Sequence, residues 1–143
     1  MLKITKGLKP FIEEVVSIYT DSKGNRYVRV KMDGEDFCIA TQDYTDAGKY
    51  YFTWDDAMDA LKAEGLTTFT KDQALICNNN INEINDILKE INGKIIPDHE
   101  WYWTSTEYDA DYAWVYHVIS KHITIRSSKK SGYIYSVRPV INL

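Results

Sequence analysis

The sequence predicts an α+β domain, with antiparallel strands towards both ends of the chain and helices between them. Three observations carry this reading. Residues 27–32 alternate by two and run into an Asp33-Gly34 pair, a strong hairpin signal. Residues 53–93 place threonines ahead of apolar positions spaced by three and four, the period of an amphipathic helix. From residue 101 the aromatics recur at a spacing of two, Trp101 with Trp103 and then Tyr112, Trp114 and Tyr116, the period of a strand whose alternate side chains share a face.

In order along the chain, residues 11–20 are rich in β-branched side chains and read as a first strand. Asp21-Ser-Lys-Gly-Asn25 is a turn cluster, with Gly24 or Asn25 suited to positive φ. Residues 27–32 and 35–41 form the next two strands, with Phe37 and Ile39 on one face and Cys38 on the other. Residues 42–53 are polar and turn-like. Thr53 then caps a helix over 54–64, with Asp56 three residues on, close to a capping box. Trp54, Ala57, Met58 and Leu61 share its apolar face, and Gly65 stops it. The acids of its first turn complement the helix dipole, and no loop glycine pattern for calcium accompanies them.

Thr70 caps a second helix over 71–78, with Gln73 in the capping-box position. Three asparagines at 78–80 break it. A third helix opens at Asn80 or Ile81 and carries Ile81, Ile84, Ile87, Leu88 and Ile91 on one stripe, ending at Asn92-Gly93. After the aromatic segment, strands are expected over 111–120, 123–127 and 133–140, with a polar, basic hairpin loop at 127–132. Pro139 suits a strand end or an edge.

At 143 residues the chain is read as one domain. Eleven tyrosines and four tryptophans are many for this length, and tyrosine suits both half-buried strands and recognition surfaces. The net charge of −4 is unevenly spread. Residues 1–111 hold 12 Lys and Arg against 21 Asp and Glu, whereas residues 112–143 hold five basic side chains and no acid. Such a basic C-terminal third attracts an anionic partner if its charges face one way; spread over three strands, it simply balances the acidic helices. Nucleic acid is not the expected ligand.

The two cysteines, Cys38 and Cys77, form no CxxC, zinc spacing or disulfide framework and read as small buried thiols, with a single bridge between them left open. The first residues lack the apolar run of a signal peptide, and no stretch approaches the length of a membrane span. The expected location is inside the cell or in an assembly built there, such as a virus particle; a trimmed leader would mean the cell surface. No phosphate-loop, dinucleotide, zinc-protease, nucleophile-elbow or EF-hand pattern occurs. His99, His117 and His122 are not at ligand spacing within one helix, although His117 and His122 are placed to meet across strands. The expectation is therefore no enzyme, no cofactor and no metal.

Several segments share their motifs with one known family. Thr53-Trp-Asp-Asp-Ala-Met-Asp-Ala-Leu61 resembles its TWEEAM helix, and Phe69-Thr-Lys-Asp-Gln73 its LPTKEE step. Residues 81–93 resemble its KINAALKALGG helix. Tyr102-Trp-Thr-Ser-Thr-Glu-Tyr108 resembles YWSSTEY, Tyr112-Ala-Trp114 matches YAW, and Tyr135-Ser-Val-Arg-Pro-Val140 resembles YYVRPV. Thr68-Phe69 departs from the family's Leu-Pro. The match covers residues 35–143 and leaves 1–34 as an N-terminal hairpin region. These segments resemble a bacterial and phage family of C-type-lectin-like domains, and the chain is similar to the last domain of a collagen-like adhesin, to Fibrobacter-succinogenes-type major paralogous domains and to phage receptor binders made by diversity-generating systems.

The resemblance implies a C-type-lectin-like fold and a non-catalytic module that binds a protein or a glycan. The alternatives are a structural part of a phage particle or surface fibre and, more remotely, a relative of the formylglycine-generating oxidase, which relies on a pair of active-site cysteines in its C-terminal half, whereas this chain has no cysteine after Cys77. Calcium-dependent sugar binding is not implied, because Glu-Pro-Asn, Gln-Pro-Asp and Trp-Asn-Asp are absent. Trp103, Glu107, Trp114, Arg138 and Pro139 would be structural, with Thr104 to Thr106 satisfying backbone groups at a strand crossing and an arginine paired near Glu107. Contacts would fall at Tyr108, Asp109, Tyr112, Tyr116, His117, Lys121, His122, Lys129, Lys130, Tyr133 and Tyr135.

Overall fold

The computed structural model describes residues 14–117, 122–129 and 133–143, with backbone only for 122–126. The chain opens on β1 (Val15–Thr20), which pairs antiparallel with β2 (Arg26–Met32) across a turn where Gly24 takes φ 87°. Asp33 and Gly34, at φ 53° and 80°, then reverse the chain into β3 (Glu35–Ile39). Positive φ at both turn positions matches the twist of paired strands, which is why Asp-Gly forms this turn. The expected first strand began earlier, and residues 11–13 lie outside the described set.

Helix α1 (Trp54–Ala63) starts where Thr53 Oγ1 accepts the Asp56 amide at 3.3 Å, and the chain leaves it through Gly65 at φ 71°. A two-residue strand, β4 (Thr67–Thr68), follows; nothing in the sequence pattern marks it. Helix α2 (Lys71–Asn79) has the full capping box: Thr70 Oγ1 accepts the Gln73 amide, and Gln73 Oε1 accepts the Thr70 amide, both at 3.0 Å. Helix α3 (Ile81–Glu90) begins at Asn80, whose side chain donates back to Ile76 O at 2.8 Å instead of capping. At its end Asn92 takes the left-handed conformation, φ 61°. Gly93 serves a different need, since a Cβ there would meet Leu88 Cδ2 and Thr41 Cβ at 3.1 Å.

Two antiparallel sheets result, and with three helices they make a mixed α+β domain among the described residues. The second sheet runs β5 (Trp101–Glu107), β6 (Tyr112–His117), β7 (His122–Ser128). The last strand, β8 (Pro139–Asn142), returns to the first sheet, whose order is β1-β2-β3-β8-β4. A strand over 133–140 was expected instead. In that stretch Tyr135 and Ser136 make only isolated bridges, to Phe52 and Tyr102, and Val137 O accepts from Tyr44 N at 2.7 Å. Those carbonyls and amides are divided between the 44–52 loop and strand β5, so a regular ladder starts only at Pro139, the first position of a strand, where a missing N–H is tolerated.

The aromatic segment divides two cores. Tyr102 packs with Val28, Phe37, Phe69, Ile84, Leu88 and Tyr116, between the first sheet and helices α2 and α3. Trp103 packs with Phe52, Ala57, Leu61, Ala113 and Val115, against α1. Adjacent residues of a strand point to opposite faces, so a sheet covered on both sides feeds both cores. Hence the pair Trp101 and Trp103 and the row Tyr112, Trp114 and Tyr116 lie on opposite faces, as the pairing of Trp103 with Val115 and of Tyr102 with Tyr116 requires.

The register shifts between Trp103 and Glu107. There the hydroxylated residues do satisfy the backbone, as expected. Thr104 Oγ1 donates to Trp114 O at 2.9 Å, Ser105 Oγ to Phe69 O at 3.2 Å, and Thr106 Oγ1 accepts the Lys71 amide at 2.9 Å. The arginine pairing needs correction. Glu107 reaches outward to Lys129, whereas Arg138 is fully buried and binds Asp43, Nε to Oδ1 at 2.8 Å. Arg138 Nη1 also donates to Ala40 O at 3.0 Å and Lys94 O at 2.9 Å. Glu107 ends β5 at the rim of the second sheet, while Arg138 leads into the first, so the two carry different loops.

Candidate functional site

The β5–β6 connection is a short, internally bonded turn. The amides of Tyr108 and Asp109 both donate to Tyr112 O, at 2.9 and 3.2 Å. Asp109 Oδ1 accepts the amides of Asp111 and Tyr112 at 2.8 and 2.9 Å. An aspartate that bonds its own following backbone fixes a turn without outside help. Tyr108 and Tyr112 remain 46% and 40% exposed on it.

The turn rests on cations and indoles drawn from distant parts of the chain. Lys129 N donates to Asp111 O at 2.9 Å, and its Nζ donates to Asp109 O at 2.9 Å and to Glu107 Oε2 at 2.5 Å. The same ammonium lies 4.4 Å from the ring centre of Trp54, whose Nε1 donates to Thr104 O at 2.9 Å. Lys71 Nζ sits 4.1 Å over Trp114, and Tyr108 meets that indole edge-on, with centroids 5.3 Å apart. Cation–π contacts of this kind hold a ring face in place at modest cost in charge burial. Trp54 and Lys71 were not expected as part of this arrangement. Each begins a helix, and nothing in the local pattern says that both helix starts meet the same turn.

The expected contact residues therefore separate. Tyr108, Asp109, Tyr112 and Lys129 come together at the turn. Lys129 is nearly covered, its charge answered by Glu107, so it braces the surface and does not extend from it. Tyr116 must be withdrawn as a surface contact: it is fully buried, edge-on to Phe69 with centroids 6.3 Å apart, and burial pushes its phenol pKa up. The row in β6 runs from an exposed Tyr112 through a half-buried Trp114 into the core at Tyr116.

At the other end of β5, His117 stacks on Trp101, centroids 3.9 Å apart and planes 10° apart. Tyr135 packs against Trp101 and Trp103 at 5.8 and 4.8 Å and shares a 2.8 Å hydrogen bond with Ser127. Both are half-buried. Tyr133 is 49% exposed. His122 pairs with His117 through the β6–β7 backbone register. Lys121 and Lys130 lie outside the described residues.

The five C-terminal cations do not form one face among the described residues, since Arg138 is buried on Asp43 and Lys129 is bound to Glu107. Cys38 and Cys77 are free and buried, and burial raises both thiol pKa values, that of Cys38 to about 11. No described helix is long and apolar enough to cross a membrane. No family model matches the chain, and no curated protein matches it either.

Proposed function

We propose that this protein is a non-catalytic recognition module on a C-type-lectin-like scaffold, contacting a protein or glycan ligand through the β5–β6 turn. The observation that carries the reading is the pairing of exposure with rigidity at Tyr108 and Tyr112. Both rings are open to solvent, on a turn held by four backbone-directed bonds and underlain by Trp54 and Trp114. Tyrosine offers broad contact area with few torsions to freeze, and a turn already ordered loses little entropy on binding. The scaffold reading draws support from β8, which returns beside β3, and from helices placed between the strand-rich ends. The non-catalytic reading draws support from two thiols whose burial disfavours the nucleophilic thiolate.

The test is a screen of the immobilised protein against purified glycans and surface proteins, repeated with a Tyr108→Ala/Tyr112→Ala variant. The expected result is a ligand whose affinity falls by roughly tenfold or more in the variant, the effect of removing interface tyrosines that act as anchors. Ligands held equally by both proteins would overturn the assignment to this turn.

A further inference from the structure

The opposite end of β5 holds a second feature of different chemistry. A cleft of about 250 Å³ opens beside Glu100, the residue before that strand. Asp43, Lys94 and Glu100 line it together with two adjacent tyrosines, Tyr50 and Tyr51. The tyrosines are 60% and 48% exposed. The segment that carries them is fixed on both sides. Lys49 and Asp46 exchange backbone bonds of 2.9 and 3.1 Å, and Phe52 exchanges two of 3.0 Å with Tyr135.

One ammonium and one carboxylate line this cleft without meeting each other. Asp43 is committed, accepting from Arg138 Nε at 2.8 Å, Tyr102 Oη at 3.0 Å and Lys94 Nζ at 2.5 Å. The last bond uses one of the three N–H donors of Lys94, whose side chain stays 45% exposed. Glu100 is half-buried and forms no ion pair with Lys94 or with any other cation among the described residues.

The charges here balance in number, Arg138 and Lys94 against Asp43 and Glu100, but not in position. Arg138 is fully buried on Asp43, so the cleft presents the Lys94 ammonium and the Glu100 carboxylate to a ligand. A small anion is drawn to Lys94 and repelled by Glu100, and a small cation meets the reverse. An uncharged molecule displaces water from both ions and replaces it at neither, which costs free energy. A molecule that carries both charges satisfies both ions at once, with a charge-assisted hydrogen bond at each end. The Tyr50 and Tyr51 rings add apolar area and π faces against which an ammonium or an apolar side chain packs. The volume falls below the range of about 300–1,000 Å³ typical of drug-sized sites, which limits the occupant to roughly a dozen heavy atoms. We infer that this cleft binds a free α-amino acid as its zwitterion, carboxylate on Lys94, ammonium on Glu100 and side chain against Tyr50 or Tyr51. The site shares no residue with the β5–β6 turn, does not depend on the function proposed for that turn, and lies outside every position that the sequence marked for contact.

The experiment is calorimetry and ligand-observed saturation-transfer NMR on the full chain, with glycine, alanine, leucine and phenylalanine as probes. N-acetylleucine, which lacks the ammonium, and leucinamide, which lacks the carboxylate, are the single-charge counterparts. Glycine betaine carries both charges but no N–H. Leucine or phenylalanine binds with millimolar affinity, as expected for so few heavy atoms. Each capped leucine binds roughly tenfold more weakly than leucine, the scale of one lost hydrogen bond to a charged group. Lys94→Gln and Glu100→Gln each weaken the free amino acid by a similar factor, and Lys94→Arg restores it. Lys31→Gln, an exposed lysine of β2, leaves it unchanged. Glu100→Gln is isosteric, and Arg138 still holds Asp43 in Lys94→Gln, so both variants keep the fold. A negative result here leaves the turn assignment standing, because none of these positions belongs to the turn. The inference is overturned if no amino acid binds, if a capped leucine binds as tightly as leucine, if both glutamine variants of Lys94 and Glu100 bind as the parent does, or if glycine betaine binds more tightly than every amino acid.

Discussion

Tyr102 and Trp103 are neighbours in sequence, both fully buried, and they belong to different hydrophobic cores. The strand that carries them is the wall between those cores. Each ring also holds one polar bond across the wall's rim: Tyr102 Oη to Asp43 at 3.0 Å and Trp103 Nε1 to Phe52 O at 2.7 Å. The aromatic segment thus ties the helices, the first sheet and the loop at 42–52 into one body.

Stability should follow this division. Trp103→Ala leaves a large void beside Leu61 and Val115 and is expected to cost roughly 3–5 kcal/mol. Tyr112→Ala, at the exposed end of β6, should stay within about 0.5 kcal/mol of the parent. Urea unfolding of the two variants measures both. Equal costs would mean that the segment does not separate core rings from surface rings.

The buried ion pair makes a second prediction. Asp43→Ala strands the Arg138 guanidinium in a site without solvent, and roughly 3–5 kcal/mol should be lost. Glu107→Ala breaks only a rim contact to Lys129 and should cost no more than about 1 kcal/mol. Thermal unfolding of the two single variants separates these outcomes, and a larger loss from Glu107→Ala would reverse the assignment of partners.

These pairs also mark what the sequence could and could not show. The Asp33-Gly34 turn, the Thr70 and Gln73 capping box and the apolar stripe of α3 are local, so a few residues suffice to read them. Arg138 and Asp43 lie 95 positions apart, and no local pattern joins them. Periodicity placed Tyr112, Trp114 and Tyr116 on one face; it carried no information on where along β6 the surface gives way to the core. Tyr50 and Tyr51 sit in a segment without period, where two adjacent tyrosines look like ordinary loop residues until the cleft is seen.

Alkaline stability should depend on Tyr44. Its phenol donates to Glu64, and that bond, with burial, pushes its pKa up to about 12 from the ordinary 10.0. The folded chain therefore keeps this proton where the unfolded chain releases it. The contribution is complete below pH 10 and disappears as the pH rises to 12. Tyr102 and Tyr116 are raised in the same direction, first by burial. Tyr44→Phe should lessen the fall in stability over that window without abolishing it; an unaltered profile in chemical-denaturation curves from pH 8 upward would contradict the role of the Glu64 bond.

The thiols should be silent in the folded state. Cys38 and Cys77 are buried, and burial raises both pKa values. A disulfide-exchange reagent at pH 8 should label neither until denaturant is added, and then both. Prompt labelling of either thiol in the native protein would reopen a cysteine-based activity.

The most direct test of the account is tyrosine nitration of the native protein, mapped by mass spectrometry. The account predicts modification of Tyr108 and Tyr112, with Tyr102 and Tyr116 protected until the chain unfolds. Nitration of Tyr102 or Tyr116 as rapid as that of Tyr108 and Tyr112, in protein that remains folded, would contradict it.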